Sequence, residues 1–314
     1  MSARTKTALA VALLAAGVSV PASSGTAALP TPAGHGLTEV RTADGTVSTI
    51  HTPHAALTAS PSPTFTPAEA TPACSTGHRT FVFYMSPSDR PYRYDGTMIA
   101  RLRTYTRQVT GFIRWQGLES SGQTKGPLLK VACNADNSIR VGGLQSTTTS
   151  ASDSFATIKQ DLINAGFNDP NTKYLVFYDD PTVGKCGTGE VYEDDTKSTS
   201  NLNNGGRAMY SVVYGNTSTT TCWTWHSALH ELFHNMGAVQ DGAPHASGWE
   251  HCNDGLDIMC YDDDGPTSSF TTTRCSTHKL DCGYDTYYDT VTEYGEWLST
   301  HWNIGWSGNY FLQF

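Results

Sequence analysis

Basic residues are scarce in this 314-residue chain, where 20 Lys and Arg stand against 29 Asp and Glu for a formal net charge of −9. A nucleic-acid partner needs clustered Lys and Arg to neutralise phosphates, so none is expected. After Val20 no apolar run approaches the roughly 20 residues that cross a bilayer, and no membrane partner is expected for the mature chain. No Cys-x-x-Cys pair occurs, which removes a cysteine zinc knuckle. Glu193-Asp194-Asp195 and Asp262-Asp263-Asp264-Gly265 lack the spaced alternation of an EF-hand loop. Both read as solvated acidic loops, with calcium binding the subordinate reading. Internal repeats are absent as well.

What is present begins with an export signal. Arg4 and Lys6 precede an uncharged apolar run from Thr7 to Val20, and small residues follow from Ser23 to Ala28. This order reads as a secretory signal peptide over residues 1–28, giving a secreted, extracellular product expected to be monomeric. All eight cysteines lie beyond it, and an even count in an exported chain favours four disulfides. Sequence does not dictate connectivity; pairing of chain neighbours (74 with 133, 186 with 222, 252 with 260, 275 with 282) is a guess based on short loops. Residues 29–73 are rich in Pro, Thr, Ala and Ser, as in Thr58-Ala59-Ser60-Pro61-Ser62-Pro63-Thr64, and are expected to be extended or disordered. They form a pro-segment or a stalk, the stalk being preferred.

The compact domain is expected over 74–314. Residues 80–84, 139–141, 174–178 and 208–214 have strand composition. Apolar residues at 98, 102, 105, 109, 112 and 113 predict a helix with one buried face. A second helix is predicted with Ser152 as cap, running to Asn164 and stopping at Gly166. Beyond about residue 238 regular pattern fades, and Gly, Asp, Thr and Cys dominate. The picture is an α+β half, then a metal helix, then an irregular half held by disulfides. Trp297, Trp302 and Trp306 could line a groove, but packing of the irregular half is the preferred account.

The metal helix carries His230-Glu231-Leu232-Phe233-His234. Residues four apart on a helix point the same way, so both imidazoles can reach one ion. Glu231 is turned about 100° away, where it can take a proton from a water activated by the ion. The motif alone arises by chance in roughly one chain in a hundred of this size. Its context is more specific: Ala228, Leu229, Leu232, Phe233 and Met236 are the apolar neighbours of a buried helix, and Gly237 stands where the helix would end in a left-handed turn.

At these residues the chain resembles the metzincin clan of zinc peptidases, whose pattern is His-Glu-x-x-His-x-x-Gly-x-x-His followed by a methionine turn. The match holds through Gly237. Gln240 then occupies the position of the third ligand, and a neutral amide binds zinc poorly. His226 is one turn before His230, and three in-line helical residues cannot surround a tetrahedral ion, so a buried or supporting role is preferred for it. Asp241, His245 and His251 remain as candidates for the third ligand. His251 is favoured, because His251-Cys252 with Met259 eight residues later is similar to archaemetzincins. Asp257-Ile258-Met259-Cys260-Tyr261 then looks like the methionine turn, with Tyr261 where some clan members bring a phenol to the metal. Asp281-Cys282-Gly283-Tyr284-Asp285 and His301-Trp302-Asn303 extend the likeness to secreted bacterial zinc metallopeptidases.

This resemblance implies a zincin-like fold, in which a mixed sheet and two helices lie above the active-site helix. It also implies one catalytic zinc and a protein or peptide substrate. Glu231 would act as general base and Tyr261 would steady the oxyanion. Strand 208–214 is expected at the sheet edge, pairing with an extended substrate. The rival readings are a non-catalytic, zinc-stabilised binding protein, an adhesion or carbohydrate-binding module built on the C-terminal aromatics, and an amidase for non-protein amides.

Overall fold

Long parallel strands buried on both faces read as nearly continuous apolar runs, and three such runs form the centre of the molecule. The computed structural model describes residues 37–41, 47–51, 66–122, 124–181, 186–215, 222–263, 265–267, 269–271 and 274–314. The signal-peptide segment, the Pro-containing run 58–64 and Asp264 lie outside the described residues.

The central strands are β4 (Arg79–Ser86), β7 (Thr172–Asp179) and β9 (Met209–Gly215), parallel and in register from Phe81 through Tyr174 to Tyr210. Beyond β4 lie β5 (Leu128–Val131) and β6 (Val141–Gln145), with the short β3 (Ala73–Cys74) and β10 (Leu312–Gln313) on β5. At the opposite end β8 (Gly187–Gly189) pairs antiparallel with β9 and ends the sheet. A separate antiparallel pair, β1 (Leu37–Arg41) and β2 (Val47–His51), lies within the Pro- and Thr-rich segment, and β2 passes beside β8 without pairing to it.

Strand alternation sorts the core into two layers. Phe81, Phe83, Tyr174, Val176, Tyr210 and Val212 face Phe155, Ile158 and Leu162 of α2 (Phe155–Asn164). Val82, Tyr84, Leu175, Phe177 and Val213 face the other way. They meet α1 (Gly96–Ser121) through Leu102, Val109 and Phe112, and α3 (Trp225–Asn235) through Leu229, Leu232 and Phe233. The two leading helices therefore occupy opposite faces of the sheet, and only α1 shares a face with the helix carrying the histidines.

Several local expectations are corrected. The cap of α2 is Ser154 rather than Ser152, because Thr157 three residues on completes a reciprocal pair of hydrogen bonds with Ser154. Helix α1 continues two turns past Ile113: its polar last turns are held by burial of Gln116, which accepts from Leu280 N at 3.0 Å, and end at left-handed Gly122. Ile139 makes only an isolated bridge to Cys133, and the strand begins at Val141. Strand β9 is not at the edge, since β8 covers it. Gly187-Thr188-Gly189 has no branched or aromatic residue apart from Thr188 and so carried little strand signal.

After α3 the only regular elements among the described residues are α4 (Trp297–Thr300) and β10. This half is held by Cys252–Cys260 and Cys275–Cys282, while Cys74–Cys133 and Cys186–Cys222 tie the sheet half, so all four bonds join chain neighbours.

Candidate metal centre

Helix α3 starts at Thr224, whose hydroxyl accepts from Ser227 N at 3.1 Å as an N-cap. Its far end is fastened to the sheet. Asn235 Nδ2 donates to Glu190 O at 2.7 Å and to Tyr210 O at 3.0 Å. From below, the buried Lys173 Nζ donates to Asn203 O at 2.8 Å and to Asn235 O, which satisfies a carbonyl at the helix C-terminus. Gly237 follows at φ 93°, and a Cβ there would meet Trp302 Nε1 at 2.7 Å. The turn therefore excludes a side chain on both conformational and steric grounds.

The loop after Gly237 returns under the helix. Val239 N donates to Glu250 O at 3.1 Å and Ser247 N to His251 O at 2.8 Å. These bonds deliver His251 to His230 and His234, and ligand atoms of the three residues lie within 4.8 Å of one another. The Nε2 atoms of His230 and His234 are 3.2 Å apart. Each Nδ1 is engaged behind the cluster: His230 donates to Ile258 O at 2.7 Å, His234 to Ala238 O at 2.9 Å, and His251 to the Asp263 carboxylate at 3.1 Å. Those contacts fix the tautomers and turn the Nε2 nitrogens of His230 and His234 toward each other, as carbonyl and carboxylate partners orient metal-ligating histidines. Burial pushes His230 down to about 4 and His251 down as well, with His230 adding to the second shift. Both imidazoles are thus neutral at pH 7, as ligands must be. The donor set fits a zinc ion, which takes three imidazoles and keeps a fourth position open.

Glu231 is 5% exposed and rises against the edge strand. A Cβ on Gly187 would lie 2.0 Å from its Oε1, and one on Gly189 would lie 2.7 Å from its backbone oxygen. The absence of side chains on this face of β8 is what lets the carboxylate approach the strand. Across from it, the Tyr261 ring is 4.3 Å from the His251 ring and 6.0 Å from that of His230. Burial, then the charges of Asp263, Glu231 and Glu250, push the Tyr261 hydroxyl well up, so it remains a proton donor at neutral pH.

The other ligand candidates lie elsewhere. His245 is 3.8 Å from Asp254 and 3.6 Å from Asp285. Asp241 groups with Glu193 and Glu250. His226 faces His278 at 5.8 Å between ring centroids and is pushed down to about 3 by burial. Met259 is fully buried beside the Cys252–Cys260 bond. Trp302 packs under α3 and donates to Met236 O at 2.7 Å, which fits a structural role for the aromatics.

Three contributors escaped the sequence reading. Asp263, in a run read as a solvated loop, instead supports His251 while also accepting from Ser247 Oγ at 2.7 Å. The carbonyls of Ala238 and Ile258 orient the other two histidines, and no side-chain pattern announces them.

No protein-family model matches the chain, and no curated protein does. Among solved structures the chain is similar to wild-type OgpA from Akkermansia muciniphila, at TM-score 0.35 and 11% identity over 68% of this chain and 65% of that one. Catalytically inactive OgpA in complex with an O-glycopeptide (glycodrosocin) substrate gives TM-score 0.33 and 10% identity, over 55% of this chain and 52% of that one. Metalloproteinase-II from Bacteroides fragilis gives TM-score 0.31 and 13% identity, over 65% of this chain and 53% of that one. The chain thus spans from about half to two thirds of these proteins, and likenesses this loose carry neither fold nor activity across.

Proposed function

We propose that the chain is a secreted zinc-dependent endopeptidase, with His230, His234 and His251 as ligands and Glu231 as general base. The observation that carries this reading is the convergence of three tautomer-fixed histidines beside a buried glutamate packed against the end strand of a sheet. When bound, zinc supplies Lewis acidity that polarises a peptide carbonyl and brings the pKa of water to about 7. Glu231 takes the proton of the attacking water and passes it to the leaving amine. Tyr261 donates its hydroxyl proton as a hydrogen bond to the oxyanion. Strand β8, in place of β9, is the end strand on which an extended peptide would pair, once β2, which passes beside it, has moved away.

Four disulfides agree with an oxidising, extracellular setting. The position of β2 beside β8 supports a pro-segment over a stalk for residues 29–73.

The test is zinc content together with casein hydrolysis for wild type, Glu231→Gln and His251→Ala. Wild type should carry zinc and cleave. Glu231→Gln should keep zinc and lose about 10²–10⁴-fold in turnover. His251→Ala should lose both. Activity retained in Glu231→Gln overturns the mechanism, and metal retained in His251→Ala overturns the ligand set. Zinc bound by a wild type that cleaves nothing makes the chain a zinc-stabilised binding protein instead.

A further inference from the structure

Behind His230 lies a buried carboxylate that the peptidase mechanism does not use. Asp257 is 4% exposed, and burial followed by the nearby Asp281 pushes its carboxyl well up. Its Oδ1 accepts from Met259 N at 2.8 Å and from the Tyr287 hydroxyl at 2.5 Å, and its Oδ2 accepts from Cys282 N at 3.0 Å. Between Asp257 and Met259 stands Ile258, whose carbonyl receives the His230 Nδ1 proton. The carboxylate therefore grips the turn on both sides of the peptide that aims this ligand. Ile258 N donates to Lys279 O at 3.0 Å, and Lys279 N donates to Leu256 O at 3.0 Å, so the same segment is held from its other edge.

The donors are themselves placed. Asp281 Oδ2 accepts from Thr286 N, Tyr287 N and Tyr288 N at 2.9, 2.7 and 2.8 Å, which folds the chain so that Tyr287 reaches Asp257. Both tyrosine rings then rest near Phe233 of α3, at 6.2 and 6.3 Å between centroids. A path of direct hydrogen bonds thus runs from the Cys275–Cys282 loop through Asp257 and the Ile258 peptide to the metal-facing imidazole.

We infer that Asp257 is a positioning residue for the metal centre, one that sets zinc affinity by fixing the Ile258 carbonyl on which His230 is oriented. The inference rests on the zinc reading above. Two oxygens are required because each accepts a backbone N–H, Oδ1 from Met259 and Oδ2 from Cys282. In Asp257→Asn, whichever way the amide is turned, its NH₂ group meets a backbone N–H that needs an acceptor, so one buried bond is lost in a side chain of unchanged size.

The test compares wild type, Asp257→Asn, Tyr287→Phe and Asp161→Asn, each stripped of metal and titrated with zinc against a chromogenic chelator. Asp161 is a matched control, a buried carboxylate of the sheet half that accepts from Thr147 N at 2.9 Å and Ser146 Oγ at 2.5 Å. Partners behind metal ligands typically contribute 10–100-fold in affinity, so Asp257→Asn, one bond further out, should bind zinc about 10-fold more weakly. Its cobalt(II) form should show a displaced visible absorption band. Tyr287→Phe, which keeps both backbone donors, should weaken zinc about threefold and keeps the question answerable if Asp257→Asn does not fold. Asp161→Asn should lower the stability of the metal-free protein and leave zinc affinity unchanged. Zinc affinity and cobalt spectrum unmoved in Asp257→Asn, or in Tyr287→Phe if only that variant folds, overturn the inference and leave Asp257 a purely structural group. A wild type that binds zinc without cleaving removes the peptidase reading but not this one, and a wild type that binds no zinc removes both.

Discussion

The chain from Arg79 to Gly215 and the chain beyond Gly237 bury their residues by different means. In the first region alternation does the sorting: Phe81 and Phe83 go to one layer, Val82 and Tyr84 to the other, and the backbone groups satisfy one another in the sheet. In the second, closed loops and single hydrogen bonds do it. Of the five non-glycine residues with positive φ among the described residues, four (His245, Glu250, Leu256 and Tyr284) lie there, which marks a path built from tight local turns. Asp257 and Asp281 are buried there as acceptors for backbone N–H groups that no sheet satisfies. The contrast teaches a division of labour: the regular half fixes where α3 lies, and the irregular half fixes how its imidazoles are turned.

The sharpest way to break that comparison is to open one disulfide from each half. Cys74–Cys133 spans 59 residues and Cys252–Cys260 spans 8. Loop-closure entropy then assigns them about 4 and about 2.5 kcal/mol. Urea unfolding of the paired Cys→Ala variants should show the larger loss for the first. Zinc affinity should fall only for the second, since Cys252 follows His251 and Cys260 follows Met259. Equal loss of zinc binding in both would mean that the halves do not act separately.

Gly187→Ala tests the seam between them. Its Cβ would sit 2.0 Å from Glu231 Oε1, so the carboxylate or β8 must move. Under the peptidase reading a displacement of about 1 Å at the general base costs on the order of 100-fold, and kcat/KM should fall by about that much. Zinc content should stay the same, because the three atoms nearest the added methyl all belong to Glu231 and none to a histidine.

The smallest effect concerns acid. An exposed histidine is half protonated near pH 6.5, about the value in an unfolded chain. Burial lowers His230 to about 4, so the folded protein keeps this imidazole neutral as pH falls through 6.5 and gives up metal to protons only nearer 4. Zinc retained after gel filtration should therefore be unchanged between pH 7.5 and 5.5. Loosening the irregular half by removing Cys252–Cys260 should move the release point up toward about 6.5, where an unburied imidazole titrates.

Legibility in sequence followed the same divide. The runs at 80–84, 174–178 and 208–214 are strands because branched and aromatic residues suit a sheet buried on both faces. Helical spacing located α1, and the four-residue step of His230 and His234 located α3. Edge strand β8 stayed hidden because its glycines are there for Glu231, so the residues that build the site erase the pattern that would announce a strand. His251 was separable from His245 and Asp241 only by its likeness to a family, for loop length alone admits all three. Asp263 and Asp257 were beyond reach, since a buried acceptor and a solvated acid are the same letter until the donors around them are placed.

One consequence of the bare edge strand concerns selectivity. A rim that presents Gly187 and Gly189 to Glu231 has room for a peptide held by its main chain alone, and main-chain bonding is blind to the residue being held. Under the peptidase reading, one wall of the cleft is therefore indifferent to sequence. Discrimination among peptides falls to the irregular wall opposite, where loops can change without disturbing the sheet.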